Sequence, residues 1–125
     1  MKIFFLEAVQ NYGGARRSTL ELASRVKSVH QVEIVDLFGS CIPFIEAAEK
    51  YNLDCHVIYP RKEPILASGG ATSMLKKLPH FFKYGYYHFD IKRKLTAFLK
   101  TNKPDIVVVN NAKTLFLLSE NKTYD

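Results

Sequence analysis

Four short apolar runs, separated by segments of helical period, constrain the fold of this chain most strongly. The runs cover residues 3–6, 32–38, 55–59 and 106–109. The first and the last are apolar at every position, which is typical of strands that are covered on both faces. Each run is too short for a helix, so we predict four strands.

Segments with helical spacing lie between these runs. In residues 15–29, Thr19, Leu22, Ala23 and Val26 fall on one face, and the charged residues fall elsewhere. Residues 42–51 predict a second, shorter helix. Pro43 is compatible with that helix because it lies in the first turn.

A loop is predicted over residues 60–70, followed by two helical stretches that meet near Gly85. The first, residues 72–84, contains Pro79 and is expected to kink or break there. The second carries Ile91, Leu95 and Leu99 on one face and ends before Pro104. Residues 114–118 begin a last helix.

Alternation of strands and helices predicts a parallel sheet with helices on both faces, a Rossmann-like α/β fold. A chain of 125 residues is one domain, so residues 1–125 form a single unit. Sheets of this type usually have five or six strands. We therefore expect a fragment, truncated before the last strands, of a longer two-domain enzyme.

The chain has the features of a cytoplasmic protein. The apolar opening of four residues is shorter than a signal peptide requires, and no run approaches the roughly 18 residues of a membrane-spanning helix. Cys41 and Cys55 lack neighbouring ligands at zinc spacing, so no metal site is predicted. No serine lies in a nucleophile elbow, which gives hydrolase chemistry no support.

Gly13 and Gly14 follow the first predicted strand and lead directly into the first helix. Glycines at this turn let backbone N–H groups approach an anion at the helix N-terminus. Asp36 stands where a ribose-binding acid would lie, but no third glycine follows, so a nicotinamide cofactor is not predicted. The alternative is a turn that serves only to start the helix.

The chain resembles the N-terminal half of family-4 glycosyltransferases of the GT-B fold. The elements that carry the resemblance are the opening Met-Lys-Ile strand, Gly13-Gly14-Ala15, Leu20-Glu21-Leu22-Ala23, a short strand over residues 32–37, and Lys103-Pro104-Asp105 leading through Ile106–Val109 into Asn110-Asn111. Their order covers nearly the whole chain. Arg16 departs from the family pattern, which usually has an acid or glutamine there, and Asn110-Asn111 replaces a stretch that often contains histidine.

This resemblance implies the acceptor-side domain of an enzyme that moves a sugar from a nucleotide-sugar donor to an acceptor hydroxyl. Gly13 and Gly14 would then lie in the cleft near the acceptor and the donor phosphates. No catalytic residue falls within the chain, no metal cofactor is required, and the isolated domain is expected to be inactive. The donor site would belong to a second domain.

Asn110 and Asn111 follow the fourth predicted strand at the edge where ligands bind in parallel sheets. Their amides can donate to and accept from sugar hydroxyls, and Arg16 is the charged candidate for the same acceptor or phosphate site. The alternative is that asparagine merely favours the turn. Gly39 and Ser40 are further candidates to line the cleft.

The net charge of +6 lies entirely in the second half of the chain. Residues 71–125 hold ten bases against four acids, whereas residues 1–70 hold eight of each. Six bases stand among six aromatics over residues 75–94, and the predicted membrane or anion surface comprises Lys76, Lys77, Phe81, Phe82, Lys83, Tyr86 and Tyr87. Such residues suit an acidic lipid surface. The alternative is a core of aromatics with a solvated basic face.

The leading hypothesis is therefore a glycosyltransferase domain at the inner face of a membrane, acting on a lipid-linked or polysaccharide acceptor. The rival hypothesis is a non-catalytic α/β module that binds acidic lipid or nucleic acid, although no nucleic-acid module matches and nucleic acid is not predicted as a partner. A dimer through the exposed edge of the truncated sheet is also expected.

Overall fold

The computed structural model describes residues 1–61 and 74–119. Its elements are β1 (Lys2–Glu7), α1 (Gly14–Lys27), β2 (Gln31–Asp36), α2 (Ile42–Lys50), β3 (Asp54–Val57), α3 (Met74–Asn102), β4 (Ile106–Val109) and α4 (Ala112–Ser119). All four predicted strands are present. Most of the predicted loop over residues 60–70, and Thr72 at the predicted start of the next helix, lie outside the described residues.

The four strands form one parallel sheet in the order β3-β2-β1-β4. Among the strands that the structure describes, only β1 and β2 are paired on both sides, which explains why residues 3–6 are apolar at every position and buried. Leu6 stands opposite Val35 of β2 and Val109 of β4. All strands therefore end at the same edge of the sheet, referred to below as the carboxyl edge.

Each face of the sheet carries its own core. Phe5 and Ile34 pack against α1 and α2 through Leu20 and Phe44. Phe4, Leu6 and Val35 pack on the opposite face against α3 and α4, whose buried residues are Ile91, Leu95, Leu99 and Leu117. The predicted Rossmann-like α/β fold is confirmed.

The prediction of a break at Pro79 or Gly85 is wrong, because α3 is one helix of 29 residues that passes through both. Pro79 lies in the second turn, where it removes one backbone hydrogen bond from a helix that continues for six more turns. A side chain at Gly85 would meet no atom within 4 Å. The packing of Ile91, Leu95 and Leu99 against the sheet stabilises the helix, and this stabilisation outweighs the low helix propensity of Pro79 and Gly85.

The two edges of the sheet differ in polarity. Asp54 and His56 give β3 the polar character that edge strands usually have. In contrast, β4 is apolar throughout, although among the described strands it pairs with β1 alone and Ile106 is 42% exposed. The edge of β4 is therefore an open place for a further strand.

Gly39 is the position in this fold that most needs glycine. Its φ of +62° is strained for other residues, and an added Cβ would lie 2.7 Å from both methyl groups of Val57. We expect Gly39→Ala to lower the free energy of unfolding by about 2 kcal/mol. Gly85→Ala is the matched control and should raise it by about 0.5 kcal/mol, and equal effects of the two changes in urea denaturation would contradict this account.

Candidate functional site

The strand order places a topological switch point between β1 and β4. From β1 the chain proceeds to β2 and β3 on one side, and it then returns to β4 on the other side of β1. Loops that leave β1 and β4 diverge to opposite faces of the sheet, because α1 packs on one face and α4 on the other. In open α/β sheets, ligands bind in the crevice that this divergence creates.

A buried carboxylate lies at this switch point. Glu7, the last residue of β1, is 1% exposed. Its Oε1 accepts a hydrogen bond of 3.1 Å from the Thr19 hydroxyl, and its Oε2 lies 2.6 Å from Nη1 of Arg16. Asn110 donates from Nδ2 to the Thr19 hydroxyl at 3.1 Å. This network, Glu7-Arg16-Thr19-Asn110, ties α1 to the ends of β1 and β4.

Burial dominates the electrostatics of Glu7. It raises the pKa of the carboxyl above the ordinary value of 4.5, and the positive charge of Arg16 and the hydrogen bonds from Thr19 and Asn110 oppose that rise. Asp36 adds to the rise because it carries like charge on the neighbouring strand, opposite Glu7. The ion pair with Arg16 is close, yet Oε2 accepts no hydrogen bond of normal geometry from the described residues.

The glycine turn beside this network is open. Gly13 precedes the helix with φ of −129° and ψ of −171°, an extended conformation that any residue adopts, and no side chain caps α1. Within residues 1–61 and 74–119, an added Cβ at Gly13 or Gly14 would meet nothing within 4 Å. Neither the backbone nor the packing of this fold therefore requires glycine here, whereas close approach of a ligand to the first N–H groups of α1 would.

The two asparagines after β4 have different surroundings. Asn111 begins α4, and its Oδ1 accepts a hydrogen bond of 2.9 Å from the Thr114 backbone N–H. This is a helix cap, which is the turn interpretation of the sequence. Asn110 is exposed and lines a shallow recess of about 350 Å³ with Glu7, Thr19 and Ala15. Of the predicted pair, Asn110 is thus the one that faces the recess beside the glycine turn.

Asp36 holds loops together at the end of β2. The residue is fully buried, and its carboxylate accepts backbone N–H bonds from Val9 at 3.2 Å and from Gly39 at 3.1 Å. Burial raises the pKa of Asp36, and these backbone hydrogen bonds oppose the rise. The hydroxyl of Ser40 donates to the Val9 carbonyl oxygen in the same region. Both side chains hold the loop that leads to the glycine turn.

A second, apolar groove lies at the carboxyl edge on the other face of the sheet. It has a volume of about 510 Å³ and is lined by Ala8, Leu37, Phe38, Tyr84, Gly85, His88, Ile91, Ala112, Lys113, Phe116 and Leu117. The loop after β1 thus has a polar recess on one side and this groove on the other. His88 and Phe116 face each other with ring centres 5.6 Å apart.

Part of the stretch that was predicted to form a membrane or anion surface is exposed. Phe81, Phe82, Lys83 and Tyr86 are exposed along α3. Tyr87 is half-buried, because its ring packs against buried Tyr59 with ring centres 6.2 Å apart and against the core on that face of the sheet. Its position four residues before Ile91 places it on the buried stripe of the helix. The side chains of Lys76 and Lys77 lie outside the described residues.

Cysteine thiols and potential metal ligands also bear on the chemistry of the site. Burial raises the pKa of the Cys55 thiol to about 11, so this cysteine is a protonated, unreactive group. Within residues 1–61 and 74–119, no three His, Cys, Asp or Glu side chains gather as metal ligands. In the same part of the chain, no helix combines the length and the apolar character needed to cross a membrane.

Comparisons with known proteins identify no relative of this chain, so the interpretation of the site rests on its geometry. No protein-family model matches the chain, and a search of curated proteins finds no significant similarity. Glu7, the centre of the buried network, was not predicted as a site residue from the sequence. An acidic residue directly after a buried strand, with a base nine positions later in a helix start, was the signal that could have identified it.

Replacement of the buried carboxyl should change how stability depends on pH. Because the folded-state pKa of Glu7 is raised, the folded chain keeps this proton to higher pH than the unfolded chain, and stability falls as the pH rises above 4.5. We expect Glu7→Gln to flatten this fall in urea denaturation measured across pH. Glu21→Gln, on the exposed Arg17 pair, should leave the profile unchanged, and identical profiles for both variants would contradict the assignment.

Proposed function

We propose that this chain is the acceptor-side domain of a glycosyltransferase, which moves a sugar from a nucleotide-sugar donor to an acceptor hydroxyl. The family resemblance of the sequence motivates the proposal. The open glycine turn at the switch point is the single observation that carries it. The fold itself does not require glycine at this turn, and the turn lies at the edge where α/β sheets bind ligands. A ligand that must approach the backbone closely best explains the two glycines.

The side chains around the turn suit a hydroxyl-rich or phosphate-bearing ligand. Asn110 is exposed and its amide both donates and accepts hydrogen bonds, as sugar hydroxyls do. Arg16 keeps one fifth of its side chain exposed while its guanidinium neutralises Glu7, and the remaining donors of its five N–H groups are suited to a phosphate. The first N–H groups of α1 add partial positive charge.

Glu7 itself is unsuited to act as the catalytic base. An acceptor hydroxyl must reach within hydrogen-bond distance of the group that takes its proton. Glu7 is 1% exposed and is engaged by Arg16 and Thr19. Its role in this proposal is to position the turn and Asn110, and the catalytic groups come from outside this chain.

The apolar groove favours a lipid-linked acceptor over a free polysaccharide. Its walls are largely aliphatic and aromatic, and its volume of about 510 Å³ is in the range of small-molecule sites. The hydrocarbon of a lipid-linked acceptor would lie in this groove while its polar head reaches the glycine turn. We propose accordingly that the protein works in the cytoplasm at the inner face of a membrane.

The open edge of β4 is proposed to pair with a second copy of the chain. A strand that is apolar on both faces and paired on one side only is a template for strand addition. Sedimentation at increasing protein concentration should therefore show a dimer, and a monomer at every concentration would contradict this pairing.

The rival function is a non-catalytic module that holds anionic partners, which the exposed aromatics and bases of α3 favour. The two hypotheses differ in turnover. A binding module releases no nucleoside diphosphate from any nucleotide-sugar, whereas a transferase does so in the presence of its acceptor.

A steric series at the glycine turn tests the proposed function. Gly13→Ala and Gly13→Val should leave stability within about 1 kcal/mol, because the extended backbone at this position accepts both residues. In the protein as its gene encodes it, we expect kcat/KM for the acceptor to fall about 100-fold with valine and less with alanine.

The assay measures nucleoside diphosphate released from UDP-glucose, GDP-mannose and related donors with lipid-linked and glycan acceptors. Val29→Ile, which adds one methylene group to a side chain that is 73% exposed in the turn after α1, is the control for a small increase in size outside both the glycine turn and the apolar groove. Full activity of Gly13→Val, or no release from any donor, would refute the proposed function.

A further inference from the structure

The side of α3 that faces away from the sheet carries large exposed aromatic residues. Phe82 is 73% exposed, Tyr86 67% and Phe89 66%. They follow one another at i, i+4 and i+7, so they form one stripe, and Leu78 extends it by a further turn at 51% exposure. Ile91, Leu95 and Leu99, on the opposite side of the helix, are buried against the sheet. The exposed stripe of Leu78, Phe82, Tyr86 and Phe89 is called the aromatic face below.

The aromatic face is not explained by the packing of the domain. Soluble proteins expose single apolar side chains routinely, but a contiguous patch of large ones marks an interaction site. The helix is about 44 Å long at 1.5 Å per residue, so its first half presents these rings along one line. The groove at the carboxyl edge uses Tyr84 and His88, which lie on a different side of the helix. The aromatic face is thus separate from the proposed sugar site.

Basic residues continue the same side of the helix. A shallow hollow joins Phe89 to Lys92, Arg93, Thr96, Ala97 and Lys100, so the aromatic half runs into a basic half without interruption. Arg93 is 69% exposed in its side chain. Asp90 is the one acid of α3, and Arg93 at 3.0 Å and Lys94 at 3.5 Å neutralise it and lower its pKa. The net field of this side is positive.

We propose that the aromatic face and the adjoining bases of α3 bind the surface of an anionic lipid bilayer, with the helix lying flat on it. Aromatic rings enter the region between headgroups and hydrocarbon, and lysine and arginine meet the acidic headgroups. Charge complementarity therefore selects anionic lipid. The proposal does not depend on the sugar site, because it uses other residues.

Two other partners fit this surface less well. Interfaces between proteins are depleted in lysine, whereas this side of α3 carries Lys92 and Lys100 beside Arg93. Single-stranded nucleic acid is bound in a charged groove with bases stacked on rings, whereas the aromatic face lies along the exposed side of one helix. Binding to nucleic acid is an outcome that the test distinguishes.

Binding to vesicles of stated composition tests the proposal directly. The 125-residue chain should cosediment with vesicles of phosphatidylcholine and phosphatidylserine, and much less with phosphatidylcholine alone. Phe82→Ser with Phe89→Ser should weaken this binding at least about tenfold. Both side chains are largely exposed, so the fold should be unaffected, and circular dichroism verifies this. Val29→Ser, at a residue 73% exposed in the turn after α1, is the apolar control.

The charges are tested separately. Arg93→Gln with Lys100→Gln should weaken vesicle binding about 30-fold, since each base at such a surface strengthens the binding about fivefold. Arg25→Gln with Lys50→Gln removes two exposed charges from the opposite face of the domain and should leave binding unchanged. Added salt should weaken vesicle binding by the wild type, and it should weaken binding by the Arg93 and Lys100 variant less, because fewer bases remain to be screened.

Several results would overturn the proposal. The first is that the Phe82→Ser, Phe89→Ser variant binds anionic vesicles as tightly as the wild type does. The second is equal binding of the wild type to neutral and anionic vesicles, and the third is binding to polyuridylate in place of vesicles. Gly13→Val is expected to bind vesicles like the wild type. Loss of sugar transfer without loss of vesicle binding, or the reverse, therefore separates a failure of the proposed function from a failure of this proposal.

Discussion

The burial of one carboxylate at the end of the central strand determines the arrangement of the site. Removing a charged group from water is costly unless it is paired and hydrogen-bonded. Glu7 is 1% exposed, and its partners come from α1 and, through Thr19, from the end of β4. Satisfying this carboxylate therefore fixes the position of α1 over the switch point. The glycine turn is the short connection between the two, and it is held in place with its backbone open.

A second buried carboxylate extends this rigidity to the neighbouring loop. Asp36 stands opposite Glu7 in the sheet and accepts backbone N–H groups from Val9 and Gly39. The two carboxylates thus hold both loops that leave the centre of the sheet. A site held in this way loses little conformational freedom when a ligand binds, which favours affinity. The apolar groove on the other face shares the same loop through Ala8, so a ligand with a polar head and an apolar tail could use both sides.

The sequence predicted the fold well where short-range pattern and long-range packing agree. Apolar runs such as residues 3–6 are buried between two strands, and their period alone indicated this. Pattern failed at Pro79 and Gly85, because rules for single residues cannot weigh the packing of Ile91, Leu95 and Leu99 further along the helix. In the site, Gly13, Gly14 and Asn110 could be predicted from their place after strands. Glu7 was not predicted as the centre, because only Arg16, nine positions later, signals it in the sequence, whereas Thr19 and Asn110 lie far apart in sequence and meet only in the fold.

The central claim is that the switch point between β1 and β4 is a ligand site built around an open glycine turn. Two-dimensional ¹H–¹⁵N spectra of the chain, recorded while glucose 1-phosphate is added, test it most directly. The account predicts saturable shifts of the Gly13, Gly14 and Ala15 backbone amides and of the Asn110 side-chain amide, with α2 and β3 unaffected. Shifts confined to the bases of α3, or no saturable shift at the turn with either glucose 1-phosphate or inorganic phosphate, would contradict it.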